Sequence, residues 1–363
     1  MGEPAAGRRP RAARPVSGAR ILATGAAGFI GSNWVRLAMA RWPEAHFAVL
    51  DALTYAGNRA NLAGLDEARL TFHHGDIRKP QDVARAMAGC DYVVNFAAES
   101  MVDRSIEDPG SFILTDTYGV FVLLEEAKRQ ETLGRFVQIS TDEVYGEILG
   151  EPATEEAPLV PRNPYAASKA GGDRLAYAYF ATYGLPVVIT RCSNNYGPYQ
   201  YPEKLIPLFV TNALEDRPLP VYGSGKNRRD WIHVEDHCEA LCRLLEAPAE
   251  AVEGEVFNIG AGREWDVLEI TDRILHILDK PKSLVQHVED RPGHDRRYAL
   301  DTAKLTSRLG WAPRHAFEVG LAETVRWYEE RRDWWEPIKA GEFREYYERM
   351  YGSRRVLEGG PAS

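Results

Sequence analysis

Short apolar runs alternate with longer stretches whose apolar positions recur every three or four residues, and this alternation organises the first two-thirds of the chain. Segments 20–24, 46–50, 70–74, 92–96, 136–139 and 186–190 have the length and the β-branched or aromatic content of buried strands. Helical spacing falls between most of them, over 29–41 (stopped by Pro43), 81–88, 112–129 and 167–183. Strand and helix in alternation predict an α/β chain with a parallel, doubly wound sheet. Ligands of such a sheet sit beyond the carboxyl ends of its strands.

After Asn194 the texture changes. Residues 194–230 are rich in Pro, Gly and Tyr, with one helical stretch over 205–214, and read as the start of a smaller lobe covering the substrate. A helical pattern over 236–246, capped by Asp236, and a strand-like run over 254–259 return to the first lobe, near 231–262. The expected division is a dinucleotide-binding lobe over 20–193 with those returns, and a mostly helical substrate lobe over 194–230 and 263–351. Residues 1–19, rich in Arg, Pro and Ala with Arg8, Arg9, Arg11 and Arg14, predict a disordered tail, or more sharply an arm for an anionic surface. Residues 352–363 predict a frayed end.

Composition narrows the class. With 363 residues, 44% hydrophobic and 27% charged, the chain has the profile of a soluble two-lobed protein. A net charge of -9 argues against general nucleic-acid binding. No uninterrupted apolar stretch is long enough for a membrane helix, and the first residues lack a signal-peptide core. Cys90, Cys192, Cys238 and Cys242 are too few for a disulfide scaffold in so long a chain, so a cytoplasmic setting is expected.

Candidate chemistry begins at the first strand's end. Gly25-Ala26-Ala27-Gly28-Phe29-Ile30-Gly31 is a strand-to-helix turn spaced G-x-x-G-x-x-G. Gly25 permits the tight turn, Gly28 lets backbone approach a pyrophosphate, and Gly31 lets the helix pack close to the sheet. The helix N-terminus then offers unpaired N–H groups to phosphate. Asp51, about 20 residues further on, closes the second strand, where a carboxylate accepts a ribose diol and repels a 2′-phosphate. NAD is therefore favoured over NADP. Asp76-Ile77 after the third strand is suited to an adenine edge, the alternative for Asp76 being a helix N-cap.

Thr141-Asp142-Glu143-Val144-Tyr145-Gly146 follows the fifth strand, and Tyr165 and Lys169 lie one helical turn apart further on. Two acids at a strand end are costly to desolvate without a task. Tyr165 is the candidate base for a sugar hydroxyl. A free phenol titrates near ~10, too high for that work, so a positive Lys169 is needed to favour the phenolate. Thr141 is placed to hydrogen-bond the same hydroxyl. Oxidising one carbon acidifies the hydrogen on its neighbour, which Glu143 can abstract while Asp142 protonates a departing hydroxyl.

These motifs, with Tyr165-Ala166-Ala167-Ser168-Lys169, Arg191-Cys192-Ser193-Asn194-Asn195-Tyr196-Gly197-Pro198 and the segment from Arg291 to Tyr298, resemble the dTDP-glucose 4,6-dehydratases of the extended short-chain dehydrogenase/reductase family. The resemblance runs from about residue 20 to 338 and implies a Rossmann-type first lobe. It also implies NAD as a resident cofactor, dTDP-glucose as substrate and a homodimer. The implied reaction is oxidation at C4, loss of water across C5 and C6, and hydride return to C6. By the same resemblance Phe29, Ile30, Asp51, Ala52, Leu53, Thr54, Asp76 and Ile77 fall at NAD contacts. So do Ala97, Ala98, Glu99, Ser100, Thr115, Lys169 and Asn195. Ser100, Thr141, Asn194, Lys204, Leu205, Pro220 and Tyr222 fall at nucleotide-sugar contacts, together with Arg229, Asn258, Asp290, Arg291 and His294. Arg229 and Arg291 have the donor geometry to grip a diphosphate.

The chain departs from the family at Met101, where His is usual, at Asp116, where Asn is usual, and at Ala52, often Lys. Related dehydratases or epimerases acting on UDP-sugars share the turn and the Tyr/Lys pair, and epimerases usually lack the Asp-Glu pair. A catalytically silent NAD-binding protein is the reading from another class. His233, His237, Cys238 and Cys242 have spacing that mimics a metal site, but the chemistry needs no metal and none is expected. Trp327, Trp334 and Trp335 read as core or interface anchors and not as a sugar platform.

Overall fold

In the computed structural model the described residues are 15–352 and 354–357. Seven parallel strands form the main sheet: β1 (Arg20–Thr24), β2 (His46–Asp51), β3 (Leu70–His74), β4 (Tyr92–Asn95), β5 (Arg135–Thr141), β6 (Val187–Cys192) and β10 (Val256–Ile259). Their spatial order is β3-β2-β1-β4-β5-β6-β10, and every pairing is parallel. The order reverses between β1 and β4, which opens a crevice at the carboxyl ends of these strands. Two small sheets serve the second lobe. One orders β11 (Glu264–Asp266), β9 (Arg228–His233) and β7 (Asn194–Tyr196), and the other pairs β12 (Val285–Val288) with β8 (Leu219–Tyr222).

The strands read as apolar runs because both faces are covered. Trp34, Phe47, Val137 and Phe257 pack on one side with the helix Val234–Glu246, while Leu22, Phe136, Leu123 and Ile189 pack on the other. A third cluster, with Phe209, Trp231, Trp265, Tyr328 and Trp335, is the core of the second lobe. The lobes are tied at Asn61: its Nδ2 donates to the Ala27 carbonyl at 2.9 Å, and its Oδ1 accepts from Trp334 Nε1 at 2.8 Å.

Several expectations are corrected. The expected single helix over 112–129 is a short helix Pro109–Phe112, a π-helical stretch Ile113–Gly119 and a helix Val120–Arg129. An extra residue per turn is set by packing and leaves no trace in apolar spacing. His233, not Asp236, caps the helix Val234–Glu246, its Nδ1 accepting from Glu235 N–H at 3.4 Å. Leu305 and Trp311, expected in the second lobe, pack in the first lobe's core. Val16 and Ala19 are buried there too, so the N-terminal tail ends earlier than expected, and residues 1–14 lie outside the described residues. At the other end Val356 bridges Val288 and Leu357 N–H donates to His287, so the chain is held beyond 352, where fraying was expected to begin; residues 358–363 lie outside the described residues.

Candidate active site

A cleft of about 450 Å³ lies where the main sheet's carboxyl ends face the second lobe. The turn after β1 forms its floor. Gly25 has φ +65, and a Cβ there would stand 2.6 Å from the Ala97 Cα. At Gly31 a Cβ would meet the Ala26 Cα at 2.6 Å, so the helix Phe29–Arg41 sits against the turn as expected. Gly28, Phe29 and Ile30 line the same wall.

Asp51 also lines the cleft, yet its oxygens are partly engaged, accepting the N–H groups of Ala27 and Leu53 at 2.8 Å each. A carboxylate has about four acceptor positions, so capacity remains for a ribose diol. Burial raises its pKa from the ordinary value, against the two backbone hydrogen bonds. The residues fit a dinucleotide: a turn only glycine can make, a helix start and an acceptor at the next strand end. Ala52, Thr54, Asp76, Ile77, Ala97 and Ala98 line this half, as do Glu99, Ser100, Thr115 and Asn195. Leu53 does not: it supports Asp51 by backbone, with φ +50. Asp76 is not a helix cap, because Lys79 precedes the helix Pro80–Met87. Its carboxylate pairs with Arg78 at 2.6 Å, and Arg78 also lines the cleft.

The acid pair leaves the end of β5 into two different surroundings. Asp142 is buried. Its Oδ1 accepts from the Thr141 hydroxyl at 3.1 Å, and its Oδ2 has no partner. Burial first, and the neighbouring Glu143 charge second, push its pKa up to about 8. Glu143 is partly exposed; its Oε2 is met by Asn163 Nδ2 at 3.4 Å and the Tyr298 hydroxyl at 3.3 Å. One acid therefore keeps its proton at neutral pH while its neighbour faces hydrogen-bond donors.

Tyr165 and Lys169 project from the helix Pro164–Tyr183, capped by Asn163 through a 2.8 Å bond from Ala166 N–H. Lys169 Nζ is buried and donates to the Ile139 carbonyl at 2.8 Å. The phenol of Tyr165 is held well above its ordinary value, by burial and then by the Glu143 charge, with a Thr141 hydrogen bond opposing. The expected depression by Lys169 is not among the main influences on it, so a further positive charge is needed to release the proton.

The substrate end is lined by Asn194, Lys204, Leu205, Pro220, Tyr222 and Arg229, with Arg291 and His294 opposite. Arg291 donates from Nη1 to Asp103 at 2.8 Å, and its buried Nε has no partner. Arg229 spends Nη1 and Nη2 on the carbonyls of Arg228 and Asp295, both at 2.8 Å, so fewer donors than expected remain for a diphosphate. Two substrate assignments are corrected. Asn258 is fully buried away from the cleft, bonding Ala153, Asp301 and Tyr145, because its strand β10 is the sheet's covered edge. Asp290 is exposed outside the lining and orients His294 at 2.7 Å.

Sequence reasoning missed Tyr298, Glu203, Asp103 and Tyr351, all at the cleft. Tyr298 closes the segment that starts at Arg291, whereas the other three meet the site only through tertiary packing. Met101, a departure from the family, lines the cleft with φ +107, a conformation that costs about 1–3 kcal/mol in a non-glycine residue. Asp116 is buried in the π-helical stretch, accepting from Glu99 N–H at 2.9 Å and the Ser168 hydroxyl at 2.8 Å. Burial raises its pKa to about 7. The discounted His/Cys set disperses: His237 bonds Asn195 at 2.9 Å, and Cys238 and Cys242 are core residues.

A sequence model of the family described as GDP-mannose 4,6 dehydratase matches residues 22–324. The chain is similar to a dTDP-glucose 4,6-dehydratase of Streptomyces niveus, with 52% identity over 88% of this chain and 96% of the relative. It is similar in structure to a dTDP-glucose 4,6-dehydratase from Streptomyces venezuelae solved with NAD and dTDP, with TM-score 0.85, 52% identity, and 88% and 100% of the chains covered. A UDP-glucose 4-epimerase from Thermus thermophilus, solved with NAD, is similar at TM-score 0.78 and 32% identity, covering 85% of this chain and 99% of that one.

Proposed function

The chain belongs to the 4,6-dehydratase family of nucleotide-sugar enzymes, within the extended short-chain dehydrogenase/reductases, and on that premise we propose how its residues convert dTDP-glucose to dTDP-4-keto-6-deoxyglucose and water. The enzyme is an NAD-dependent lyase. When bound, NAD supplies the hydride acceptor for C4 and the hydride donor for C6. Everything else is proton movement on this chain's side chains.

Tyr165 takes the proton of the C4 hydroxyl, with Thr141 steadying the same oxygen; the buried Lys169, together with the positive charge of bound NAD, favours the phenolate. With C4 a ketone, the C5 hydrogen is acidic and Glu143 removes it. Asp142 gives its proton to the C6 hydroxyl, which leaves as water, and Glu143 returns a solvent-exchanged proton to C5 as C6 receives the hydride. The observation that carries this reading is the split in the acid pair: the Asp142 carboxyl is buried and titrates only near 8, beside a Glu143 that already meets two donors.

The deciding experiment incubates the protein with dTDP-glucose in D₂O and identifies the product by NMR. Deuterium at C5, and transfer of a C4 deuterium label to the C6 methyl group, are expected. UDP-glucose and UDP-N-acetylglucosamine are assayed in parallel for the sister reading of a UDP-sugar enzyme. A 4-epimerase would leave C5 unlabelled.

Ile113, Leu114, Tyr118 and Phe121 expose apolar surface along one helical segment, which supports a homodimer built on that face. Light scattering at twice the 40.7 kDa chain mass would bear this out. Four free, buried cysteines suit a reducing compartment, and we place the enzyme in the cytoplasm. No described helix is long and apolar enough to cross a membrane.

A further inference from the structure

We infer that Arg354, in the far C-terminal segment, is a positioning residue for the diphosphate end of the substrate cleft. It shares one buried carboxylate, Asp103, with Arg291. Asp103 Oδ2 pairs with Arg291 Nη1 at 2.8 Å, and its Oδ1 pairs with Arg354 Nη2 at 3.2 Å. One negative charge thus sits between two guanidinium groups. Arg291 lines the cleft with a surplus of positive charge and an unpartnered, buried Nε, which suits it to an anionic ligand there.

Arg354 is itself held firmly. Its Nε donates to the Met350 carbonyl at 2.9 Å and its Nη1 to the Glu289 carbonyl at 3.1 Å, and its guanidinium lies 4.5 Å from the Tyr222 ring centroid. Just before it, Tyr351 stacks on Tyr222 with centroids 5.9 Å apart and planes 27° apart, and both rings line the cleft. Just after it, the chain pairs with β12: Glu289 N–H donates to Arg355 at 3.0 Å, and Leu357 N–H to His287 at 2.9 Å. Met350, Tyr351, Arg354, Arg355 and Leu357 lie beyond residue 324, where the family match ends, and reach back to partners within it.

The consequence follows from charge balance. While Arg354 occupies one oxygen of Asp103, Arg291 meets the carboxylate through a single nitrogen and keeps donors for substrate. Without Arg354, Asp103 is free to take Arg291 in a two-pronged grip and draw those donors away from the diphosphate. Arg354 therefore governs affinity for the nucleoside diphosphate part of the substrate and leaves the sugar chemistry untouched. The inference rests on reading this cleft as the dTDP-glucose site.

The test compares wild type, Arg354→Gln and Arg354→Lys with their native cofactor, by steady-state kinetics on dTDP-glucose and calorimetric titration with dTDP. For Arg354→Gln, KM and the dTDP Kd should each rise about tenfold, the scale of one charge-assisted hydrogen bond. Its kcat should stay within about twofold and its bound NAD should be unchanged, and Arg354→Lys should recover most of the lost affinity. Unchanged KM and Kd in Arg354→Gln would overturn the inference. So would parallel losses of kcat, NAD content and melting temperature in both variants, which mark a mere structural clamp. A wild type that does not turn over dTDP-glucose would instead refute the functional assignment.

Discussion

Glu143 Oε2 lies 3.3 Å from the hydroxyl of Tyr298, and that same hydroxyl lies 2.6 Å from Asp295 Oδ2. One phenolic proton stands between two carboxyl groups and is shared by them. As a donor to Glu143 the hydroxyl orients that carboxylate toward the C5 hydrogen. Replacing Tyr298 by Phe removes that donor without removing the base. A kcat about tenfold lower, with KM little changed and C5 deuterium exchange slowed equally, is the expected result in a D₂O assay.

Glu143→Gln removes the base itself. Elimination should fall by about 10²–10⁴-fold, while the variant still binds NAD and dTDP, because Glu143 is assigned no part in holding either. Product formation and ligand titration on the same sample separate the two effects.

The carboxyl of Asp142 is protonated below about 8 and serves as an acid only in that form. Turnover should therefore hold steady through neutral pH and fall as pH rises past about 8. Asp142→Asn should lose most activity together with that alkaline limb. A pH–kcat profile of the two proteins checks both statements.

Asp116 gives a stability prediction of definite sign. Its pKa rises from 3.8 in the unfolded chain to about 7 when folded, so the folded state holds a proton the unfolded state has lost. Stability from this group is present below 3.8 and is lost as pH rises toward 7. Asp116→Asn abolishes the loss, with a ceiling of about 4 kcal/mol at about 1.4 kcal/mol per pH unit. Thermal melts should show the variant gaining on wild type between pH 4 and pH 8, and the gain levelling off above.

Gly25→Ala forces a Cβ into the Ala97 backbone at a positive φ. Strain of about 1–2 kcal/mol from the backbone and about 1–3 kcal/mol from overpacking should lower the melting temperature. The amount of NAD released on denaturation should drop as the turn is pushed out of shape.

Much of this fold was legible in the sequence because parallel strands are covered on both faces and so stand out as apolar runs. The glycine turn, Asp51, the Asp142/Glu143 pair and the Tyr165/Lys169 turn were legible because each is a local pattern with its own chemistry. The rest depended on distance in the chain. The π-helical stretch is fixed by what Gly119 and Asp116 meet, Ile77 and Ser168, neither of which its own spacing reveals. Asn258 has the look of a site residue at a strand end, yet Tyr145, Ala153 and Asp301 satisfy it from three other segments. Asp103 becomes meaningful only when Arg291 and Arg354 converge on it.

The amide of Asn61 touches the phosphate-binding turn with one end and the second lobe's indole with the other. Any hinge motion that parts the lobes on this side must pull on the floor beneath the dinucleotide. Product release and cofactor retention are thereby mechanically linked: an enzyme that opens at the far rim, away from this stitch, can shed its sugar nucleotide on every cycle and still carry the same cofactor into the next.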